Sequence, residues 1–180
     1  MFKYCPTCRG ELAERHVGER TRLACITPDC GFVHWENPTP VVAAVVEHEG
    51  ELILARNALW PMRFFGLITG FLEKHEQPEE AVLREVEEEL GLQGRDPAFI
   101  GHYAFERQNQ LIIAYHVRAT GTIVLNEELV EYQRIAFTEA RYWPAATGLA
   151  LRDWLRARGY HPQEMPPPFR RPEPKPASES

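Results

Sequence analysis

The segment GFLEKHEQPEEAVLREVEEELGL, residues 70–92, constrains this chain more than any other. Ala81, Val82, Val86 and Leu90 recur at helical spacing, Pro78 suits a first helical turn, and Gly91 can close the last one. On that helix Glu85, Glu88 and Glu89 share one flank, beside the apolar stripe. Like charges on adjacent turns repel. A helix that packs its stripe into a core while crowding three carboxylates at its edge therefore calls for a positive partner. Hard oxygen donors in this arrangement suit Mg2+ or Mn2+, whereas zinc favours nitrogen and sulfur. Arg84 is a second source of positive charge. Its planar fork can hold a carboxylate with two hydrogen bonds, and Glu76, Glu85 and Glu88 are its candidate partners. The plain alternative is a solvated, glutamate-rich surface helix.

Around this segment, residues 37–160 read as one α+β domain. Residues 40–48 and 51–57 flank Glu49-Gly50 as a hairpin. Residues 65–71 form a third strand, with Gly66 and Gly70 allowing close backbone approach. Further strands are expected at 98–103, 111–119, 122–125 and 132–137, and an amphipathic helix at 146–158. Residues 161–180, HPQEMPPPFRRPEPKPASES, have the composition of a disordered, proline-rich tail.

Residues 1–36 hold all four cysteines, Cys5, Cys8, Cys25 and Cys30. Two close pairs separated by a longer segment have zinc-ribbon spacing. With four thiolates the site has no open position, so its Zn2+ is expected to be structural, stapling a segment too small for its own core. Four free or redox-active thiols are the alternative, and His16 or His34 could replace one ligand. Lys3, Arg9, Arg15, Arg20 and Arg22 make a modest basic stripe near Phe2, Tyr4, Phe32 and Trp35, which reads as solvated charge. The net charge of −6 supplies no global field for nucleic acid. No apolar run is long enough for a membrane helix. The opening MFKYCPTCRG lacks the apolar stretch of a secretory signal, so a cytoplasmic protein is expected.

Gly70, Glu76 and the run Arg84-Glu85-Val86-Glu87-Glu88-Glu89-Leu90-Gly91-Leu92 meet every specified position of G-x5-E-x7-R-E-U-x-E-E-x-G-U, where U is aliphatic. The segment resembles the Nudix box. That resemblance implies a Nudix-type α/β/α sandwich with a mixed sheet, in which a loop–helix–loop holds divalent metal against a diphosphate. It implies Glu85, Glu88 and Glu89 as metal ligands, with Glu85 also helping to activate water. Arg84 would orient its neighbours. Glu76 would support the helix or reach metal through water, and the Gly70 carbonyl would approach the metal. Glu131 resembles a downstream glutamate that reaches the metal or the attacking water, with Glu106, Glu127 and Glu128 as competitors.

The ribbon, the following ENPTPVVAAVVEHEGELILARN and the box together resemble the branch related to NADH pyrophosphatase. They look nearer still to short zinc-ribbon Nudix proteins associated with ADP-ribose and FAD hydrolysis. One departure stands out. The NADH pyrophosphatases carry S-Q-P-W-P-F-P-x-S after the box, where this chain reads HYAFERQNQLIIAYH at 102–116. That points away from NADH and NAD-capped RNA as preferred substrates. The implied activity is metal-dependent hydrolysis of a nucleoside diphosphate linked to a second moiety, releasing a mononucleotide. Arg56, Phe64, Phe65 and Tyr115 are the expected substrate contacts, with Trp60, Arg63, Tyr103, Phe105, Arg107 and His116 nearby in sequence. The expected partner is a small nucleotide, not a membrane or nucleic acid, and the family resemblance implies a homodimer. A non-catalytic ligand sensor and a nucleic-acid-binding zinc module are the rival readings. The intact box weighs against the first and the acidic balance against the second.

Overall fold

The computed structural model describes residues 3–60 and 63–165. The chain divides into two compact units, residues 1–38 and 39–180. In the first, β1 (Leu12–Val17), β2 (Arg20–Cys25) and β3 (Val33–His34) form an antiparallel sheet in that order. Among its described residues the buried side chains are few: Cys5, Ala24 and Cys25.

The second unit begins with β4 (Thr39–His48) and β5 (Glu51–Asn57). Glu49 and Gly50 between them both take left-handed backbone, at φ 54° and 81°, as a two-residue hairpin turn requires. Then come β6 (Ile68–Phe71), α1 (Pro78–Leu90), β7 (Gln93–Phe105) and β8 (Gln110–Thr120). The chain continues through β9 (Leu129–Ile135), β10 (Arg141–Tyr142), α2 (Thr147–Ala157) and β11 (Gln163–Glu164). The main sheet runs β7-β8-β4-β5-β9, with β6 also paired to β4. It is mixed: β4 and β8 are parallel and the other pairs antiparallel.

Alternation along β4 explains why its apolar run is unbroken. Val42, Ala44 and Val46 face α1, where they join Val82, Val86 and Leu90 in one core cluster. Val45 meets Leu151, Trp154 and Leu155 of α2, and Val41 and Ala43 meet Ala150. Both faces are covered, so polar residues have no place in the strand centre. A buried leucine such as Leu151 gains about 1.5–3 kcal/mol by leaving water.

Helix α1 is fixed at both ends. Gln77 and Glu80 form a reciprocal capping box ahead of Pro78, and Gly91 closes the helix at φ 65°. Residues 122–125, expected as a strand, are not one. The Val124 N–H bonds to the Leu90 carbonyl at 2.8 Å and the Asn126 N–H to that of Glu89 at 3.3 Å. The segment satisfies carbonyls at the end of α1 instead of a sheet edge. Strand β9 begins three residues before the expected 132. The start of the expected tail is also ordered: β11 pairs in parallel with β10, and the Met165 N–H bonds to the Tyr142 carbonyl at 2.8 Å. The remaining tail residues, 166–180, lie outside the described residues, as does Phe2. Among the described residues no helix is long and apolar enough to cross a membrane.

Candidate active site

The site starts from an absence of side chain. Gly70 on β6 lies opposite Val42 of β4, and a Cβ built on it would overlap the Glu85 carboxylate. Glycine is needed here for close approach. It lets a glutamate from α1 lie across the strand and reach the end of the sheet.

Arg84 organises the acids around it. Its Nε and Nη2 donate to the two oxygens of Glu76 at 2.7 and 3.0 Å. Its Nη1 donates to Glu85 at 2.6 Å and to Glu88 at 3.0 Å, and Nη2 also reaches the Phe71 carbonyl at 3.2 Å. All three candidate partners are engaged, with Glu76 taking the two-bond fork. Glu76 also accepts from the Glu73 N–H at 3.1 Å, and the Arg84 guanidinium holds its carboxyl below the usual range. Both Glu76 oxygens are thus committed to the loop and to Arg84.

Beside this hub opens a cavity of about 780 Å3, walled by Glu85, Glu88 and Glu89 from α1 and by Glu128 just before β9. Glu89 is only 7% exposed, and no hydrogen bond reaches its carboxylate among the described residues. Burial, then the charges of Glu85, Glu128 and Glu88, push it up to about 8. Burial also raises Glu85, against the pull of Arg84. Arg84 engages one oxygen of Glu85 and one of Glu88, so the other oxygen of each and the Glu89 carboxylate stay outside its hydrogen bonds; among the described residues only the four cysteines already stand close enough together to share one ion. The carboxylate oxygens are donors that fit Mg2+ or Mn2+.

Aromatic rings make up much of the remaining wall. Phe64 stands 5.2 Å from Trp60 and 5.0 Å from Trp143, ring centroid to centroid, and Phe71 and Phe105 add two more rings. Phe64 therefore lines the cavity, together with Trp60 and Phe105. Other expected contacts lie elsewhere. Tyr115 is buried in the α1 core, with its hydroxyl donating to Glu79 at 2.9 Å. Phe65 packs against the α2 core and is not in the cavity wall. Arg56 sits across from Glu131 on β9 and donates to it at 3.3 Å, and Arg63 donates to the other oxygen of Glu131. The two arginines hold the Glu131 carboxyl low, Arg63 more strongly, and none of the three lines the cavity. Glu128, not Glu131, lines the cavity. The Asn126 side chain accepts from the N–H groups of Glu128 and Leu129 at 3.0 and 3.3 Å and so forms the turn that presents Glu128. Gln108 and Gln110 also line the cavity, and no motif singled them out.

In the first unit, the four cysteine sulfurs all lie within 4.8 Å of one another, with Cys5–Cys30 at 3.6 Å and Cys8–Cys25 at 3.4 Å. Thiolates on a tetrahedron around zinc stand about 3.8 Å apart, given a Zn–S bond of about 2.3 Å. The cluster fits Zn2+ with no spare position. The Gly10 N–H donates to the Cys8 sulfur at 3.4 Å, and a Cβ at this position would run into the Thr27 side chain.

The NUDIX domain family matches residues 37–157. The chain belongs to the Nudix family. Among curated Nudix relatives, the NAD-capped RNA hydrolase NudC of Stutzerimonas stutzeri (strain A1501) is 30% identical over 135 residues, covering 74% of this chain and 48% of that protein. The protein of the same name from Mycobacterium tuberculosis (strain ATCC 25618 / H37Rv) is 36% identical over 93 residues, covering 51% and 29%. The chain thus spans less than half the length of these relatives. Among solved structures, a NUDIX hydrolase from Nitrosomonas europaea superposes with a TM-score of 0.69 at 22% identity, covering 91% of this chain and 99% of that one. An ADP-ribose pyrophosphatase from Streptococcus suis gives 0.56 at 16% identity, covering 72% and 100%. At these identities the likeness is one of fold. The Nudix motif falls on the loop, helix and Gly70 contact described above.

Proposed function

We propose that this Nudix protein hydrolyses the diphosphate linkage of a nucleoside diphosphate joined to a second moiety, with ADP-ribose and FAD as the leading candidates, and releases a mononucleotide. One observation carries the reading: a single cavity is lined by five glutamate carboxylates and five aromatic rings. Anionic and flat, apolar parts of one ligand find matching surfaces.

Glu85, Glu88 and Glu89 would hold Mg2+ or Mn2+. A dication bound there supplies charge neutralisation for the phosphoryl oxygens and acidification of water. Arg84 keeps the Glu85 and Glu88 rotamers turned toward the cavity, itself anchored on Glu76. Glu128, set opposite the helix, accepts a proton from the attacking water in the role first expected of Glu131. Trp60, Phe64 and Phe105 exclude solvent and stack on the flat group of the substrate. The cysteine cluster holds Zn2+ as a structural staple, apart from this chemistry.

Two relatives are named for NAD-capped RNA. Segment 102–116 contributes Phe105, Gln108 and Gln110 to the cavity in place of the proline-rich signature, and this supports ADP-ribose and FAD ahead of NADH. The test is a panel of ADP-ribose, FAD, NADH, CoA and dinucleoside polyphosphates with Mg2+ or Mn2+, with products identified by chromatography. Mononucleotide release from ADP-ribose or FAD is expected. Zinc-loaded, folded protein that turns over no member of the panel would overturn the reading.

A further inference from the structure

A second, smaller cavity of about 300 Å3 lies at the end of β4, the start of β7 and the end of β8. Val41 of β4 lines the large cavity and Glu47 of the same strand lines the small one. Six residues of extended strand, roughly 20 Å, separate the two. The wall of the small cavity carries Glu47, His48, Glu49, Arg95 and Arg118.

Its arginines are left without partners. Arg95 and Arg118 stand directly opposite each other across β7 and β8. Like charges in that position destabilise a sheet. Neither guanidinium has a hydrogen bond or an ion pair with a described carboxylate. The two glutamates of the wall are engaged elsewhere. Glu47 is held by the His116 Nε2 at 2.8 Å, and Glu49 accepts from Arg134 at 2.8 Å. Behind Glu47, the Arg158 Nη2 lies 3.4 Å from the other His116 nitrogen. Burial, and then the Arg118 charge, lower the Arg158 guanidinium, so the surplus of positive charge is felt by its neighbours. His48 is only 2% exposed; its Nε2 meets the Gly121 carbonyl at 2.9 Å and its Nδ1 has no hydrogen bond. An unpaired buried nitrogen calls for a water, an ion or a ligand beside it.

We infer that the small cavity binds the phosphate group of a small phosphomonoester between Arg95 and Arg118. A guanidinium is a planar fork of donors that matches two phosphate oxygens at once. A dianion set between two such forks removes their repulsion and takes up donors that no described carboxylate uses. A monocarboxylate carries one charge and two oxygens, enough for one fork only. The cavity volume limits the rest of the ligand to a small organic group. The net charge of −6 offers anions no general attraction, so binding depends on this arginine pair. Hydrolysis at the large cavity plays no part in it.

The experiment titrates zinc-loaded, full-length protein without added Mg2+ or Mn2+ by calorimetry. Inorganic phosphate and ribose 5-phosphate are the probes, with acetate and chloride at matched ionic strength as controls. Amide exchange locates the bound probe. Both phosphates are expected to bind and to protect residues 46–50, 93–96 and 117–121, and the controls to do neither. Arg95→Gln and Arg118→Gln should each weaken binding by about tenfold or more, the scale of a hydrogen bond to a charged group. In phosphate-free buffer both variants should melt no lower than wild type, because each removes one member of an opposed like-charge pair. Melting below wild type in that buffer would assign the arginines to the fold and overturn the inference. No phosphate binding, acetate binding as well as phosphate, protection confined to the large cavity, or undiminished binding in the double variant would also overturn it. None of these results depends on turnover, so the substrate panel and this titration fail separately.

Discussion

At the scale of single residues, the site is held by one missing side chain and one crowded one. Gly70→Ala places a methyl group where the Glu85 carboxylate lies, so either the strand or the acid must move. We expect a loss of at least tenfold in kcat and a cost of about 1–3 kcal/mol in urea unfolding, the range for overpacking. Glu89 is the crowded residue. In metal-free protein its folded-state pKa of about 8 lies above its ordinary 4.5, so the folded chain binds a proton that the unfolded chain has released. Stability contributed by that proton is present at low pH and is lost as pH rises from about 4.5 through 8. Metal-free protein should melt at lower temperature at pH 8.5 than at pH 6, and Mg2+ should remove much of the difference. Glu89→Gln keeps the shape without the charge. It should flatten the pH profile, raise metal-free stability by on the order of 2 kcal/mol and abolish turnover. A variant that melts below wild type at pH 8.5 would show that the carboxylate is not under repulsion.

At the scale of elements, the two glutamates of the 128–131 segment separate by what holds them. Glu131 is cross-strand from Arg56 and is also held by Arg63, whose segment carries Trp60 and Phe64 to the cavity. Glu128 is presented by the Asn126 turn and faces the α1 acids. Glu128→Gln should therefore lower kcat by about a hundredfold or more, the usual weight of a positioned base. Glu131→Gln should act mainly on KM, by loosening the aromatic segment, with kcat within about fivefold of wild type by the same scale. Steady-state kinetics with ADP-ribose separate the two, and the reverse ranking would return the role to Glu131.

At the scale of the whole molecule, each unit has its own means of staying folded. The Nudix unit buries continuous cores on both faces of its sheet, whereas the first unit buries few apolar side chains around its four thiolates. Zinc bound to these sulfurs would supply the folding free energy that a small core does not. Stripping Zn2+ with a chelator should remove amide exchange protection from β1–β3 while β4 and β8 keep theirs. Loss of protection throughout the chain would refute that independence. Metal analysis should find one zinc per chain in protein prepared without chelators, and none after Cys5→Ser with Cys8→Ser.

Much of this was legible in one dimension, because some chemistry is fixed by spacing along the chain. A helical repeat puts Glu85, Glu88 and Glu89 on one flank whatever surrounds them, and two close cysteine pairs can meet at one ion. The β4–β5 turn was equally local, since Glu49-Gly50 sets its own backbone. Residues 122–125 misled because an apolar run fits a strand or a brace across a helix end equally well, and only packing against α1 decides. The same limit applied to the acids and rings. Which of Glu128 and Glu131 meets the α1 carboxylates depends on a bulge in the β5–β9 pairing. That Tyr115 is core while Gln110 is cavity depends on which sheet face each helix covers. The sequence by itself determined the acid helix and the pairing of the cysteines, because those follow from neighbours along the backbone. Only the tertiary structure decided which rings and which downstream glutamate line the cavity, because those meet across strands far apart in the chain, where register and burial set the distance.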